Sequence, residues 1–179
     1  DIFGFEQNLL ANCNNLSYNN ALILGAGGAA SAALYSLAHK FDNIYIYNRT
    51  PKRAQDLATN FAQLQLPAKI TVIDEPSPDI LKNIDLIVNS TSIGMKNDLK
   101  HSFSLQDAQN SNCHCYDLIY NPLYTDLLKQ AQSLKLTTVT GIGMLIYQAL
   151  LGFEQWFGQR PTLSKQEFNE ISQLLIANL

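Results

Sequence analysis

The chain has 179 residues, 46% hydrophobic and 15% charged, with a formal net charge of -3. That length buries a proper core, the low charge fraction excludes a chain dominated by a disordered tail, and the mild acidity excludes a general nucleic-acid binder. No charged segment leads into a signal-type apolar core and no uninterrupted apolar run reaches transmembrane length, so a cytoplasmic location without a membrane partner is expected. Cys13, Cys113 and Cys115 form no disulfide framework. The single Cys-x-Cys around His114 is a poor ligand set, so no metal is expected.

The chain opens on Asp1 and the apolar run Ile2-Phe3-Gly4-Phe5, which reads as a fragment whose upstream part is missing. Residues 1–12 are expected to form a helix with Phe3, Phe5 and Leu9 available for packing. The Asn-rich stretch 12–20 is a surface connection. The apolar run 21–24 is a first strand, and the Ala-rich stretch from Gly28 to about His39 is a helix. Residues 43–47 form a second strand. Thr50 as N-cap and Pro51 at the first helical position then open a helix to about Phe61. Further strands are expected at 70–72, 84–88, 114–119 and 137–139, with a loop marked by Pro76 and Pro78 and a helix over 127–134. Two helices, 145–157 and 165–179, follow on either side of Gly158 and Pro161.

Alternating strands and helices predict a Rossmann-like α/β fold: a doubly wound parallel sheet in the order 3-2-1-4-5-6, with additional C-terminal helices. The expected organisation is a connecting helix and linker over 1–20, a dinucleotide-binding domain over 21–144, and helices packing on it over 145–179.

Gly25-Ala26-Gly27-Gly28-Ala29-Ala30 joins the first strand to its helix, where a dinucleotide pyrophosphate sits on helical N–H groups. By itself such a turn is compatible with an ordinary strand-to-helix connection. Strand two ends in Asn48-Arg49-Thr50, with Lys52 and Arg53 behind, where an NAD-specific site carries an acid for the ribose hydroxyls. A carboxylate repels a 2′-phosphate, whereas a guanidinium makes charge-assisted bonds to it. The pattern points to NADP, with Arg49 the stronger ligand and Lys52 a surface residue. Asn89 to Met95, including Thr91, lies beyond the fourth strand, near the expected run of the nicotinamide half. Tyr120 ends the fifth strand in the same crevice. Gly141 to Met144 follows the sixth strand, and Gln148 shares a helical face with Met144.

Taken together, Asp1 to Phe5, GAGGAA at 25–30, NRTPKRA at 48–54, NSTSIGM at 89–95, YDLIYNP at 116–122 and GIGMLIYQA at 141–149 resemble the shikimate dehydrogenase family. The resemblance implies reversible, NADP-dependent reduction of 3-dehydroshikimate to shikimate, in chorismate and aromatic amino-acid biosynthesis. It implies that Gly25, Ala26, Gly27, Gly28 and Ala29 hold the pyrophosphate, and that Asn48, Arg49, Thr50 and Arg53 face the 2′-phosphate. Leu118, Gly141 and Met144 match positions near the nicotinamide. Asp1, Tyr120 and Gln148 match substrate-contacting positions, and Asp1 pairs in the family with a catalytic lysine of an N-terminal domain.

No segment of this chain matches that domain, so the expectation is a cofactor-binding part alone, with its substrate domain as missing partner and negligible turnover in isolation. Two other readings stay open. One is an NAD-using quinate/shikimate dehydrogenase; the other is a non-catalytic NADP-binding module.

Overall fold

The computed structural model describes residues 1–95, 100–108 and 112–178. In chain order the elements are α1 (Ile2–Asn12), β1 (Asn20–Leu24), α2 (Gly28–Ala38), β2 (Asn43–Tyr47), α3 (Pro51–Ala62), β3 (Lys69–Val72), α4 (Pro78–Leu81) and β4 (Leu86–Asn89). A short 3-10 turn (Leu105–Ala108), β5 (His114–Asp117), α5 (Asp126–Ser133), β6 (Thr137–Val139), α6 (Ile142–Phe157) and α7 (Lys165–Asn178) complete the chain. The six strands form one parallel sheet in the order β3-β2-β1-β4-β5-β6, as the sequence predicts.

Period-two alternation explains how one sheet supports two cores. Ala21 and Ile23 of β1, with Ile44, Ile46, Leu86, Val88 and Tyr116, face a layer built by α1, α2 and α3. Leu22 and Leu24, with Ile87, Cys113 and Cys115, face α4, α5 and the 3-10 turn. Both faces are covered, as an all-parallel sheet requires. Phe5 of α1 stacks on Tyr116 at 5.0 Å between ring centroids, and Asn8 Nδ2 donates to the Tyr116 hydroxyl at 2.8 Å. The same amide donates to the Thr140 carbonyl at 2.9 Å, so α1 is tied to the centre of the sheet and to the turn entering α6.

Some boundaries differ from the sequence-based expectation. The strand expected at 84–88 starts two residues later and runs to Asn89, while the one expected to reach Ile119 stops at Asp117. There the backbone N–H of Ile119 turns to the Asp117 carboxylate at 3.0 Å instead of continuing the ladder. Pro78 opens a one-turn helix where a loop was expected, in keeping with proline's tolerance at a first helical position. Helix α6 begins three residues before the expected start. Thr50 occupies the N-cap of α3, but its side chain makes no capping bond.

Register gathers the functional turns. Leu24 pairs with Tyr47 and with Asn89, and Asn89 pairs with Asp117. The carboxyl ends of β2, β1, β4 and β5 therefore lie side by side, at the edge where open α/β sheets bind ligands.

Candidate functional site: a dinucleotide cleft

Gly25 leaves β1 with φ +110°, a backbone region that favours glycine. Its N–H donates to the Tyr47 carbonyl at 2.8 Å, and a Cβ placed there would meet Ser90 Oγ at 2.5 Å. Gly27 and Gly28 are different: they are exposed, and an added Cβ would meet nothing within 4 Å. The protein interior does not require glycine at those two positions. Both positions are open to close approach by a group from outside. Gly27 is the extended N-cap of α2 and no side chain caps that helix, so its first turn presents backbone donors and the positive dipole end to the cleft.

Across the turn lies a cleft of about 460 Å³, lined by Gly25, Ala26, Gly27, Asn48, Arg49 and Arg53, with Ser90 and Thr91 on the β4 side. The Asn48 side-chain amide donates to the Thr50 carbonyl at 2.8 Å and orders the turn that carries Arg49. Arg49 and Arg53 are exposed where they line it, Thr50 is exposed next to Arg49 in the chain, and no salt bridge occupies either arginine among the described residues. A free helix N-terminus, two glycines open to close approach and two uncommitted guanidiniums suit a ligand with one pyrophosphate and one further phosphate. These residues fit the dinucleotide that the sequence suggests. Ala29 is half-buried at the first turn of α2.

The β4 turn is held by a buried network that sequence reasoning missed. Asp117 accepts from Asn89 Nδ2 at 3.0 Å on each oxygen, from Thr125 Oγ1 at 2.6 Å and from Ile119 N at 3.0 Å. Burial pushes its carboxyl up from the ordinary value, opposed by the bonds from Thr125, Asn89 and Ile119. Asn89 Oδ1 in turn accepts from Thr91 N at 3.1 Å and Thr91 Oγ1 at 2.7 Å, and Thr91 Oγ1 accepts from Ile93 N at 3.0 Å. The Thr91 hydroxyl is thus engaged within its own turn. The pairing of Asn89 with Asp117 was findable only once adjacent strands were in register.

On the other side of the sheet edge, the Gln148 amide donates to the Asp1 carboxylate at 2.6 Å. Close packing of α1 on α6 brings them together: a Cβ at Gly4 would meet the Met144 carbonyl at 2.5 Å and Gln148 Cγ at 2.6 Å. Gly141 packs on the Leu118 carbonyl, where an added Cβ would lie at 2.3 Å. Met144 is buried in the core layer with Phe5 and Tyr116, while Leu118 is half-buried beside that layer. Tyr120 is exposed just beyond the end of β5. None of Leu118, Gly141 or Met144 lines the cleft at Arg49.

The fold and this edge define a dinucleotide-binding α/β domain of Rossmann type. The family model for shikimate / quinate 5-dehydrogenase matches residues 8–116, and that for the shikimate 5'-dehydrogenase C-terminal domain matches residues 141–163. The chain belongs to the shikimate/quinate 5-dehydrogenase family.

It is 43% identical over 170 residues to a shikimate dehydrogenase (NADP(+)) of Bartonella tribocorum, covering 92% of this chain and 57% of that protein. The chain thus spans less than two thirds of the length of this curated relative. A solved shikimate dehydrogenase in complex with NADP+ is 32% identical, with a TM-score of 0.79 over 98% of this chain and 60% of that one. The Thermus thermophilus enzyme, solved with NADP(H) and shikimate, is 28% identical with a TM-score of 0.75, over 96% of this chain and 60% of that one.

The two family matches overturn the expectation that this chain is only a cofactor-binding part whose N-terminal substrate domain is absent. The missing partner domain falls with that expectation, and so does the negligible turnover argued from its loss. The structural counterpart is the Asp1–Gln148 pair, two residues read as substrate-side that meet within the chain itself. Among the described residues, no helix is long and apolar enough to cross a membrane, and no group of three or more His, Cys, Asp or Glu side chains is placed to hold a metal ion.

Proposed function

We propose that the protein is an NADP-dependent oxidoreductase that interconverts 3-dehydroshikimate and shikimate in the cytoplasm. The observation that carries the cofactor half of this reading is the cleft that joins Gly27 and Gly28, open to close approach, to Arg49 and Arg53, free of ion pairs among the described residues. Similarity to NADP(+)-dependent shikimate dehydrogenases supports the substrate. Residues 21–144 act as the dinucleotide-binding unit, with 1–20 and 145–179 docked against it.

When bound, NADPH would supply a hydride from its nicotinamide ring to the substrate carbonyl, and NADP+ would take it back in the reverse direction. The chain's residues do the rest. The first turn of α2 holds the pyrophosphate, Asn48 and Thr50 shape the rim, and Arg49 with Arg53 pairs the 2′-phosphate. The β4 turn at Thr91 bounds the opposite wall, and Leu118, Gly141 and Met144 bound the nicotinamide end. Asp1, oriented by the Gln148 amide, accepts a hydrogen bond from a substrate hydroxyl, and Tyr120 donates one.

The test is shikimate-dependent reduction of NADP+ followed by NADPH absorbance, with quinate and NAD+ assayed in parallel. Turnover of shikimate with NADP+, reduced at least about tenfold by Gln148→Ala, is the expected result. Preference for quinate with NAD+ would establish the alternative enzyme. Tight NADP+ binding with neither substrate turned over would favour a binding module.

A further inference from the structure

The cleft has a wall that the cofactor fingerprint does not contain. Lys100, His101 and Ser102, downstream of β4, line it across from Arg49 and the glycine turn. His101 packs against Phe103 at 5.4 Å between ring centroids. Its Nε2 is buried and has no hydrogen-bond partner among the described residues. Native structures retain few buried groups of this kind without a partner. Lys100 is exposed and joins Arg49 and Arg53 as a third cation in the same cleft without a salt bridge among the described residues. Three uncommitted cations lining one cleft in a chain of net charge -3 mark it for an anionic ligand.

Strand order fixes which part of that ligand meets this wall. Arg49 follows β2, the glycine turn follows β1, and Lys100 lies beyond β4, with β1 in the middle. A dinucleotide with its pyrophosphate on the glycine turn and its 2′-phosphate at Arg49 has its adenosine in this cleft. Resting on the cofactor reading above, we propose that His101 is an adenine-binding residue, its Nε2 hydrogen-bonded to the edge of the base, and that Lys100 adds a second-wall charge to the ligand's phosphates. Burial holds the imidazole down to about 4, so at neutral pH it is uncharged and offers one donor and one acceptor nitrogen. An adenine edge presents both complements.

The wall therefore serves NADP+ and NAD+ alike, whereas Arg49 separates them. The experiment is calorimetric titration of adenosine 2′,5′-bisphosphate, NADP+, NAD+ and nicotinamide mononucleotide into wild type, His101→Phe, His101→Gln and Lys100→Gln. His101→Phe keeps a ring against Phe103 and should weaken the bisphosphate, NADP+ and NAD+ by a common factor of about ten, leaving the mononucleotide unchanged. His101→Gln should restore most of the loss, and Lys100→Gln should flatten the salt dependence of bisphosphate binding. Wild-type histidine-ring 15N NMR gives a readout independent of variant folding: the His101 Nε2 resonance should shift on adding the bisphosphate. An unshifted resonance, or equal affinity of His101→Phe and wild type, overturns the assignment while the cofactor reading stands. Failure of the wild type to bind either NADP+ or the bisphosphate overturns both.

Discussion

The turns after β1 and β6 look alike in sequence: each follows a strand, carries two or more glycines and opens a helix. Their glycines answer to different demands. At the β6 turn an added Cβ would strike the Leu118 carbonyl at 2.3 Å from Gly141, and Asn8 Oδ1 at 2.0 Å from Gly143. At the β1 turn Gly27 and Gly28 would meet nothing within 4 Å. Gly141 and Gly143, like Gly25, are crowded by their own chain, whereas Gly27 and Gly28 leave room for a group from outside. A glycine pattern alone does not separate these cases; the neighbours of the absent side chain do.

The largest expected effect breaks the packed turn. Gly141→Ala should cost about 3 kcal/mol, because the obstruction is the backbone of residues 118 and 119 and cannot swing aside. Denaturant unfolding measures it, and a loss under about 0.5 kcal/mol would contradict the account. Next comes the network that sets the β4 turn opposite the open one. Asp117→Ala leaves the Asn89 amide and Thr125 hydroxyl without their buried acceptor and should cost about 2 kcal/mol. It should also weaken NADP+, since Thr91 hangs from Asn89.

The open turn should respond in the opposite way. Gly28→Ala sits at the first position of α2, so stability should rise by about 0.5 kcal/mol from helix propensity. NADP+ affinity should nevertheless fall about tenfold or more as the methyl group occupies the phosphate's approach. Loss of stability with unchanged affinity would make this turn a second packed one.

The last effect concerns the far wall and is confined to acidic pH. The folded-state value for His101 is lowered from 6.5 to about 4 by burial. The unfolded chain therefore takes up the proton first as pH falls. The contribution of the neutral imidazole is present above pH 6.5 and is lost progressively toward about pH 4. Thermal unfolding of wild type should decline more steeply across that window than that of His101→Gln. Parallel profiles would remove burial as the governing factor.

Much of this was legible from the sequence because strands buried on both faces read as short apolar runs, and parallel order limits the alternatives. The glycine turn and the Asn48-Arg49-Thr50 rim were found from their place after β1 and β2. What escaped was whatever depends on partners distant in sequence. The Asn8–Tyr116 bond joins residues 108 apart, and the Asn89–Asp117 bond joins residues 28 apart. His101 belongs to no periodic element and entered only through the cleft it lines. Thr50 gave a capping signal that its side chain does not use. Met144, read as a neighbour of the nicotinamide, is mostly buried in the core layer, a placement that its spacing from Gln148 does not show.

The central claim is that the open glycine turn and Arg49 together bind NADP. Its most direct test is side-by-side calorimetry of NADP+ and NAD+ on wild type and Arg49→Ala. Wild type should prefer NADP+ by at least about tenfold, and the substitution should erase that preference with NAD+ affinity retained. Equal binding of the two dinucleotides by wild type, or a preference that survives Arg49→Ala, would contradict it.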